Sequence, residues 1–407
     1  MREFLRATYD EFRIIFRDEG VLLILVFAPI IYATIYSLTY GTQVLRNIPI
    51  GVVDNDRTPT SRRLTNVLGA GENAYIAYEP TDMQEAKKLF FDREIYGIVY
   101  IPDGYERDII GGSRVVVPIY LDASYILMYR QVFENVATSI ATTNATVEFQ
   151  HLLAKGAQIP QAEAIVEPVR YASHTLFNPY LGYGSFVMPP VIILILQQTL
   201  LIGICMIGGT TRERGSTPTG NILRTIFSKT LCYFCIYAIL SLYLLSVHYR
   251  LFHYPMNGHT TEIAIFISLY LLACISMSLA LSVLFHRRET PLMVLLWCSI
   301  PLLMLSGVSF PTSALPKWLQ WLANIFPSTH GVHGFIKLQT MGASLPEIAP
   351  EITTLSIMII VYFALTSVGF SFVAKKNQNP QLTQHSNYQT NKPTTTFTHQ
   401  KIAEKSY

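Results

Sequence analysis

The chain has 407 residues, of which 50% are hydrophobic and only 14% charged, where an ordinary soluble domain carries roughly 25% charged residues. With a mean hydropathy of +0.33 it is no disordered, collagenous or small disulfide-rich chain. Its 30 basic and 27 acidic residues leave a net charge of +3, too little to imply a nucleic-acid partner.

The missing charge is absent from particular windows. Residues 21–40, 186–207, 230–247, 263–285, 291–310 and 352–374 contain no Asp, Glu, Lys or Arg, and each approaches the ~20 residues that cross a bilayer as a helix. Arg2, Arg6, Arg13 and Arg17 precede the first window as they would a secretory signal. That window is longer than the usual apolar core of roughly 7–15 residues and lacks a small-residue cleavage site, so it reads as a retained anchor. The sequence thus predicts a polytopic α-helical membrane protein with six transmembrane helices. Residues 1–20, 208–229, 286–290 and 375–407 hold 15 Lys and Arg, and the short loops 248–262 and 311–351 hold 3. This asymmetry places both termini in the cytoplasm.

Residues 41–185 carry 12 basic and 16 acidic residues, the density of a soluble domain. They read as an inserted extracytoplasmic α/β domain: strands at 48–53, 95–101 and 115–121, helices at 61–68 and 82–91, and a long helix over 127–153. The polar last 33 residues, 375–407, read as a disordered cytoplasmic tail. Cys205, Cys232, Cys235, Cys274 and Cys298 all fall in apolar windows or within them as packing residues, so no disulfide framework is expected outside.

An ion-coupled carrier keeps ionisable groups inside its spans, and none of the six windows has one in its interior. Gln197 and Gln198 are the strongest polar groups there and are candidates for a polar pathway, with interhelical packing the simpler role. No phosphate-binding G-x-x-x-x-G-K-[ST] occurs, so uphill transport would draw its energy from another polypeptide. Two cytoplasmic features suit contact with such an engine. Residues 2–18 set Phe4, Leu5, Phe12, Ile15 and Phe16 toward one helical face, as in an interfacial helix, with Arg13 and Arg17 elsewhere. Arg212, Glu213 and Arg214 directly follow the second window. The Asp54-Asn55-Asp56 run reads as an Asx turn between strand and helix rather than a cation site. His330 and His333, one helical turn apart, read as packing residues with no further ligand close in sequence.

The ordered motifs carry a family resemblance. They are F-R-D-E-G at 16–20 before Ala28-Pro29; I-P-I-G-V-V-D-N-D at 48–56; Y-G-I-V-Y-I-P at 96–102; and G-Y-E-R-D at 104–108. Y-L-D at 120–122, F-N-P at 177–179, F-V-M-P at 186–189 and R-E-R-G-S at 212–216 follow. L-S-G-V-S-F-P at 305–311, P-K-W-L-Q-W-L at 316–322 and F-P-S-T-H at 326–330 close the series. Across residues 1–376 the chain resembles the membrane subunits of type-2 ATP-binding-cassette exporters, in the subgroup with a large outer domain after the first span.

The resemblance implies a non-enzymatic permease that forms the path for ATP-driven efflux of a hydrophobic or amphipathic substrate, such as a drug or lipid. It implies a separate cytoplasmic ATPase that holds ATP and Mg, a second permease protomer (identical or paralogous), and residence in a bacterial inner membrane; a periplasmic adaptor is a further open partner. Arg13, Arg17, Arg212, Glu213 and Arg214 would receive the ATPase motion through the coupling loop 208–229, and 311–351 would be an outer re-entrant segment. Thr217-Pro218-Thr219-Gly220 departs from the family pattern and would start any coupling helix near Asn221. A non-transporting receptor or envelope scaffold, whose outer domain binds a ligand or partner, is the alternative from another class.

Overall fold

A computed structural model describes residues 2–169, 174–179, 181–215 and 221–378. The chain divides into two compact units, one of Met1–Gly41 with Tyr183–Tyr407 and the other Thr42–Gly182.

The chain opens with α1 (Arg2–Arg17), followed after Asp18 by α2 (Glu19–Thr39), the first helix long and apolar enough to cross a membrane. Asp18 caps this helix by accepting the Val21 N–H at 3.1 Å. A π-helical turn at Leu23–Phe27 precedes Pro29. Proline lacks the N–H that would bond the carbonyl four residues back and crowds that carbonyl, and the wider turn accommodates both effects.

In the second unit the order is β1 (Ile48–Asp54), α3 (Pro59–Gly69), β2 (Ala74–Tyr78), α4 (Met83–Phe91), β3 (Gly97–Ile101), α5 (Tyr105–Ile110), β4 (Ile119–Leu121), α6 (Ile126–Ala154) and α7 (Ile159–Val166). The sheet order is β2-β1-β3-β4, with β1 parallel to both neighbours and β4 antiparallel to β3. As a central strand β1 is apolar on both faces. Ile48, Ile50 and Val52 join Leu64, Leu68, Val132 and Val136 of α3 and α6, whereas Val53 packs with Ala86 of α4 and Ile98 of β3. The strand expected over 115–121 pairs only at Ile119–Leu121, and β2 has no counterpart in the sequence reading.

The Asp54-Asn55-Asp56 turn has the Asx geometry its composition suggests. Asp54 accepts the backbone N–H groups of Asp56 (3.0 Å) and Arg57 (2.9 Å), and Ser61 Oγ donates to its other oxygen at 2.6 Å. Thr58 and Ser61 form a reciprocal capping box, with Pro59 inside the start of α3. Asp56 accepts the Thr58 hydroxyl at 2.5 Å and the Glu106 N–H at 3.0 Å, tying the start of α3 to α5.

The first unit resumes with α8 (Tyr183–Glu213), α9 (Ile222–Leu251) and α10 (Thr260–Ser282). Then come α11 (Glu289–Trp297), α12 (Ser299–Leu305), α13 (Lys317–Ala323), α14 (Pro327–Phe335) and α15 (Ala349–Gln378). Among the described residues five helices are long and apolar enough to cross a membrane: α2, α8, α9, α10 and α15.

The fifth charge-free window departs from the expectation of six such helices. Residues 291–310 fall on α11 and α12, which part at Cys298, and Gly307 ends the run with a φ of +84°. Pro301 explains the break: it cannot donate to the Trp297 carbonyl and its ring displaces that turn. Glu289–Leu305 is therefore a shorter apolar pair, about 25 Å long at the usual helical rise, against a hydrocarbon core of about 30 Å.

The boundaries shift at two further places. The last helix runs to Gln378, past the expected tail boundary at 375; residues 379–407 lie outside those described. The coupling loop 208–229 is mostly helix, because α8 continues to Glu213 and α9 starts at Ile222, where the Asn221 side chain accepts the Leu223 N–H at 3.1 Å. The helix expected near Asn221 is thus the start of α9 itself. Thr217-Pro218-Thr219-Gly220 lies outside the described residues.

Burial pushes the Asp56 carboxyl up, but the Thr58 hydroxyl and the backbone N–H groups of Glu106, Gly104 and Tyr105 outweigh it and hold the group below its ordinary 3.8. The unfolded chain therefore takes up this proton first as pH falls. The stability it contributes is complete above about pH 5 and is lost as pH falls through the lowered native value. In Asp56→Asn, amide-exchange protection at the start of α3 and α5 is expected to be weaker already at pH 6 and to change less between pH 5 and 3 than in the parent. An identical pH dependence, after correction for intrinsic exchange, would remove Asp56 from this role.

Candidate functional site

The candidates for contact with an ATPase sit where α1, the end of α8, the start of α9 and the 286–290 turn converge. Close approach is built into α8. A Cβ on Gly209 would lie 2.4 Å from the Arg287 carbonyl oxygen, and one on Gly208 would lie 2.8 Å from Ser282 Cβ. Only glycine lets the α10–α11 connection lie directly on this helix.

The α1 helix carries two adjacent stripes. Phe4, Thr8, Glu11, Phe12 and Ile15 turn toward the bundle, with Thr8, Glu11 and Ile15 buried. Leu5, Tyr9 and Phe16 are exposed, as a helix lying in a membrane interface requires. The single apolar face expected from the sequence is therefore split between bundle and exterior.

Glu11 is the residue that sequence reasoning missed. Lys229 Nζ lies 2.6 Å from both carboxylate oxygens, and the buried Tyr233 hydroxyl donates to Oε1 at 2.6 Å. A second ion pair joins Arg288 to Asp18 at 2.5 Å, and a third joins Arg224 to Glu3. These contacts fasten both ends of α1. The sequence does carry a signal for Glu11: it occupies the same helical stripe as Thr8 and Ile15, where a solvated acid has no place.

The structure separates the Arg212-Glu213-Arg214 triplet. Arg212 is half-buried and lines a cavity of about 50 Å³ with Lys229, Tyr233 and Phe370. Glu213 reaches the Arg288 backbone N–H at 3.4 Å. Arg214 turns instead to an open cleft of about 950 Å³ that Arg13, Arg17, Arg288, Asp10, Asp18 and Glu19 also line. Arg13, Arg17 and Arg214 are thereby brought together. Asp18 and Arg288 neutralise each other, which leaves Arg13, Arg17 and Arg214 against Asp10 and Glu19, an excess of one positive charge.

Gln197 and Gln198 diverge. Gln197 is buried and donates to Ser328 Oγ at 3.0 Å, while Cys274 Sγ approaches its oxygen at 3.8 Å, so it links α8, α10 and α14. Gln198 donates to the Leu295 carbonyl at 2.5 Å, next to the break between α11 and α12. Both serve interhelical hydrogen bonding. The absence of ionisable groups from span interiors needs one correction: α9 extends past 247 and includes His248, which is buried and lies 2.8 Å from Ser37 Oγ of α2. His330 and His333 lie on α14, where Gly331 and Gly334 pack on Tyr270 and Phe266. Among the described residues no group of three His, Cys, Asp or Glu side chains could hold a metal ion.

A family model described as "ABC-2 family transporter protein" matches residues 20–368. "Inner membrane transport permease YhhJ" of Escherichia coli (strain K12) is 21% identical over 387 residues, covering 91% of this chain and 97% of the relative. The Shigella flexneri protein of the same name gives the same figures. "ABC transporter G family member 20" of Dictyostelium discoideum is 23% identical over 341 residues, 81% of this chain. The matched segment spans 45% of that relative's length.

Removing one member of a buried ion pair leaves the other charge uncompensated, at a cost of about 3 kcal/mol. Glu11→Ala is expected to release α1, read as lost amide-exchange protection over residues 4–15, while Glu11→Met with Lys229→Met restores most of it. Equal protection in Glu11→Ala and the parent would show that the apolar contacts alone hold the helix.

Proposed function

Since the chain belongs to the ABC-2 family of transporter proteins, we propose that it is the permease subunit of an ATP-binding-cassette exporter that moves a hydrophobic or amphipathic substrate. A separate cytoplasmic ATPase carries ATP and Mg and supplies the energy. The observation that carries this reading is the cleft between α1 and the end of α8, where Arg13, Arg17 and Arg214 converge and outnumber the acids left unpaired by Arg288. A charged concavity at the end of an apolar bundle suits an acidic partner surface in water, where guanidinium groups make bidentate, charge-assisted hydrogen bonds. No phosphate-binding loop occurs in the sequence to give the chain an engine of its own.

The route for mechanical coupling follows from the ion pairs. A push on α1 reaches α9 through Glu11, Lys229 and Tyr233, and reaches the turn before α11 through Asp18 and Arg288. The α11–α12 pair is the sixth crossing, completed by packing against a second protomer. Its exposed apolar residues Met293, Trp297, Ile300 and Met304 recur at three- to four-residue spacing and form the wall facing that protomer. Substrate passes between the two protomers. The charge asymmetry of the loops supports a cytoplasmic cleft and cytoplasmic termini, with residues 42–182 as an extracytoplasmic domain. The naming of the Escherichia coli relative supports a bacterial inner membrane.

Charge reversal at Arg13 and Arg17 together tests the socket in the intact complex. The double variant is expected to insert and fold normally, to retain at least tenfold less ATPase through mild-detergent purification, and to lose substrate-stimulated ATP hydrolysis. Glu213→Ala is expected to keep the ATPase bound and reduce the stimulation. Unchanged retention and stimulation in both variants would overturn the assignment of this surface.

A further inference from the structure

Away from the basic cleft, α9 and α10 enclose a second concavity of about 390 Å³ near the opposite end of the bundle, within the size range of small-molecule sites. Its walls are mainly apolar, with Leu245 of α9 facing Ile263 and Ile267 of α10. Two of its lining residues are costly where they stand. Ser241 and Tyr249 are almost fully buried, and neither Ser241 Oγ nor the Tyr249 hydroxyl has a hydrogen-bond partner among the described residues. Buried hydroxyl groups are normally paired, so these two, with the Tyr254 hydroxyl a third in the same apolar cleft, mark a place where a ligand supplies acceptors.

The rim identifies the ligand's chemistry. Arg250 is the one charged residue among the described lining residues, and it makes no ion pair among the described residues. Along α9 it lies 21 residues beyond Lys229, about 30 Å at the helical rise, which is the thickness of the hydrocarbon core. Lys229 and Arg250 thus mark opposite membrane boundaries, and Arg250 stands at headgroup level with an apolar cleft beneath it. Exposed Leu242 and Ala264 leave the cleft open to the surface of the bundle.

We propose that this cleft binds one acidic phospholipid from the surrounding bilayer, its phosphate on Arg250, its ester oxygens accepting the Tyr249 and Ser241 hydroxyls, and an acyl chain lying between α9 and α10. The proposal rests on the membrane-spanning reading of these helices and not on the ATPase socket. Purification of the full-length protein from membranes in mild detergent, followed by native mass spectrometry and lipid extraction, tests it. The parent is expected to retain about one acidic phospholipid per chain and to exchange it for phosphatidylglycerol in preference to phosphatidylcholine in nanodiscs. Arg250→Gln and Ala264→Trp, both at exposed positions that leave the fold intact by gel filtration, are expected to lower retention at least fivefold. Tyr249→Phe is expected to lower it two- to threefold without loss of thermal stability. Equal retention in all four proteins, equal retention of the two lipid classes, or detergent alone in the cleft would overturn the proposal. A changed oligomeric state in Ala264→Trp with lipid unchanged would overturn it in favour of a second copy of the chain as the occupant.

Discussion

The bundle depends on α8 being buried along almost its whole length. Its residues from Val187 to Ile207 are apolar on nearly every side, which is tolerable only if other helices cover every side. Four neighbours do so: α2, α10, α11 and α14. The covering helices reach it through residues without bulk. A Cβ at Gly203 would fall 2.3 Å from Leu25, and Gly208 and Gly209 receive the end of α10 and the following turn. Where helices share a solvent as apolar as themselves, such close backbone approach and its van der Waals contact replace the hydrophobic drive.

Burial of α8 also dictates where its polar groups go. Gln197 cannot leave its amide unpaired in hydrocarbon, and it bridges to Ser328 and Cys274. Gln198 satisfies the Leu295 carbonyl, close to where Pro301 interrupts the neighbouring pair. The same rule governs the ends of the helices. Glu11, with 7% of its side chain exposed, pairs with Lys229 through both carboxylate oxygens, and the Tyr233 hydroxyl donates to Oε1. A joint made this way is stiff in one register and expensive to pull halfway. That property suits the lever proposed for α1 and α9.

The sequence made the membrane windows legible because absence of charge over some twenty residues has one economical explanation. It did the same for the strands buried on both faces, where continuous apolar runs such as Ile48–Asp54 stand out. Edge elements were not legible. β2 alternates poorly and is half exposed, so its place beside β1 is set by the sheet rather than by its own pattern. The break at Cys298 was present in the sequence as Pro301, but a count of charges does not register a missing N–H. In the candidate site, Arg13, Arg17 and Arg214 were recognisable as basic flanks. Their convergence, and the divergence of Arg212, depend on the 3.6-residue turn that sends alternate side chains of one helix end into different cavities. Glu11 and Lys229 are 218 positions apart, and no local pattern pairs them.

The two ends of α9 show how one helix can serve opposite surfaces. At Lys229 the charge is consumed inside the protein by Glu11 and Tyr233, so that end is fixed to α1. At Arg250 the residue is exposed, and the hydroxyls of Ser241 and Tyr249 are unpaired among the described residues. Polar groups that a protein does not satisfy must be satisfied by its solvent, and for the flank of a membrane bundle the solvent is lipid. The contrast between a closed polar shell at one end and an open one at the other therefore separates the proposed coupling surface from the proposed lipid surface. It does so on a single helix, with no element devoted to either task alone.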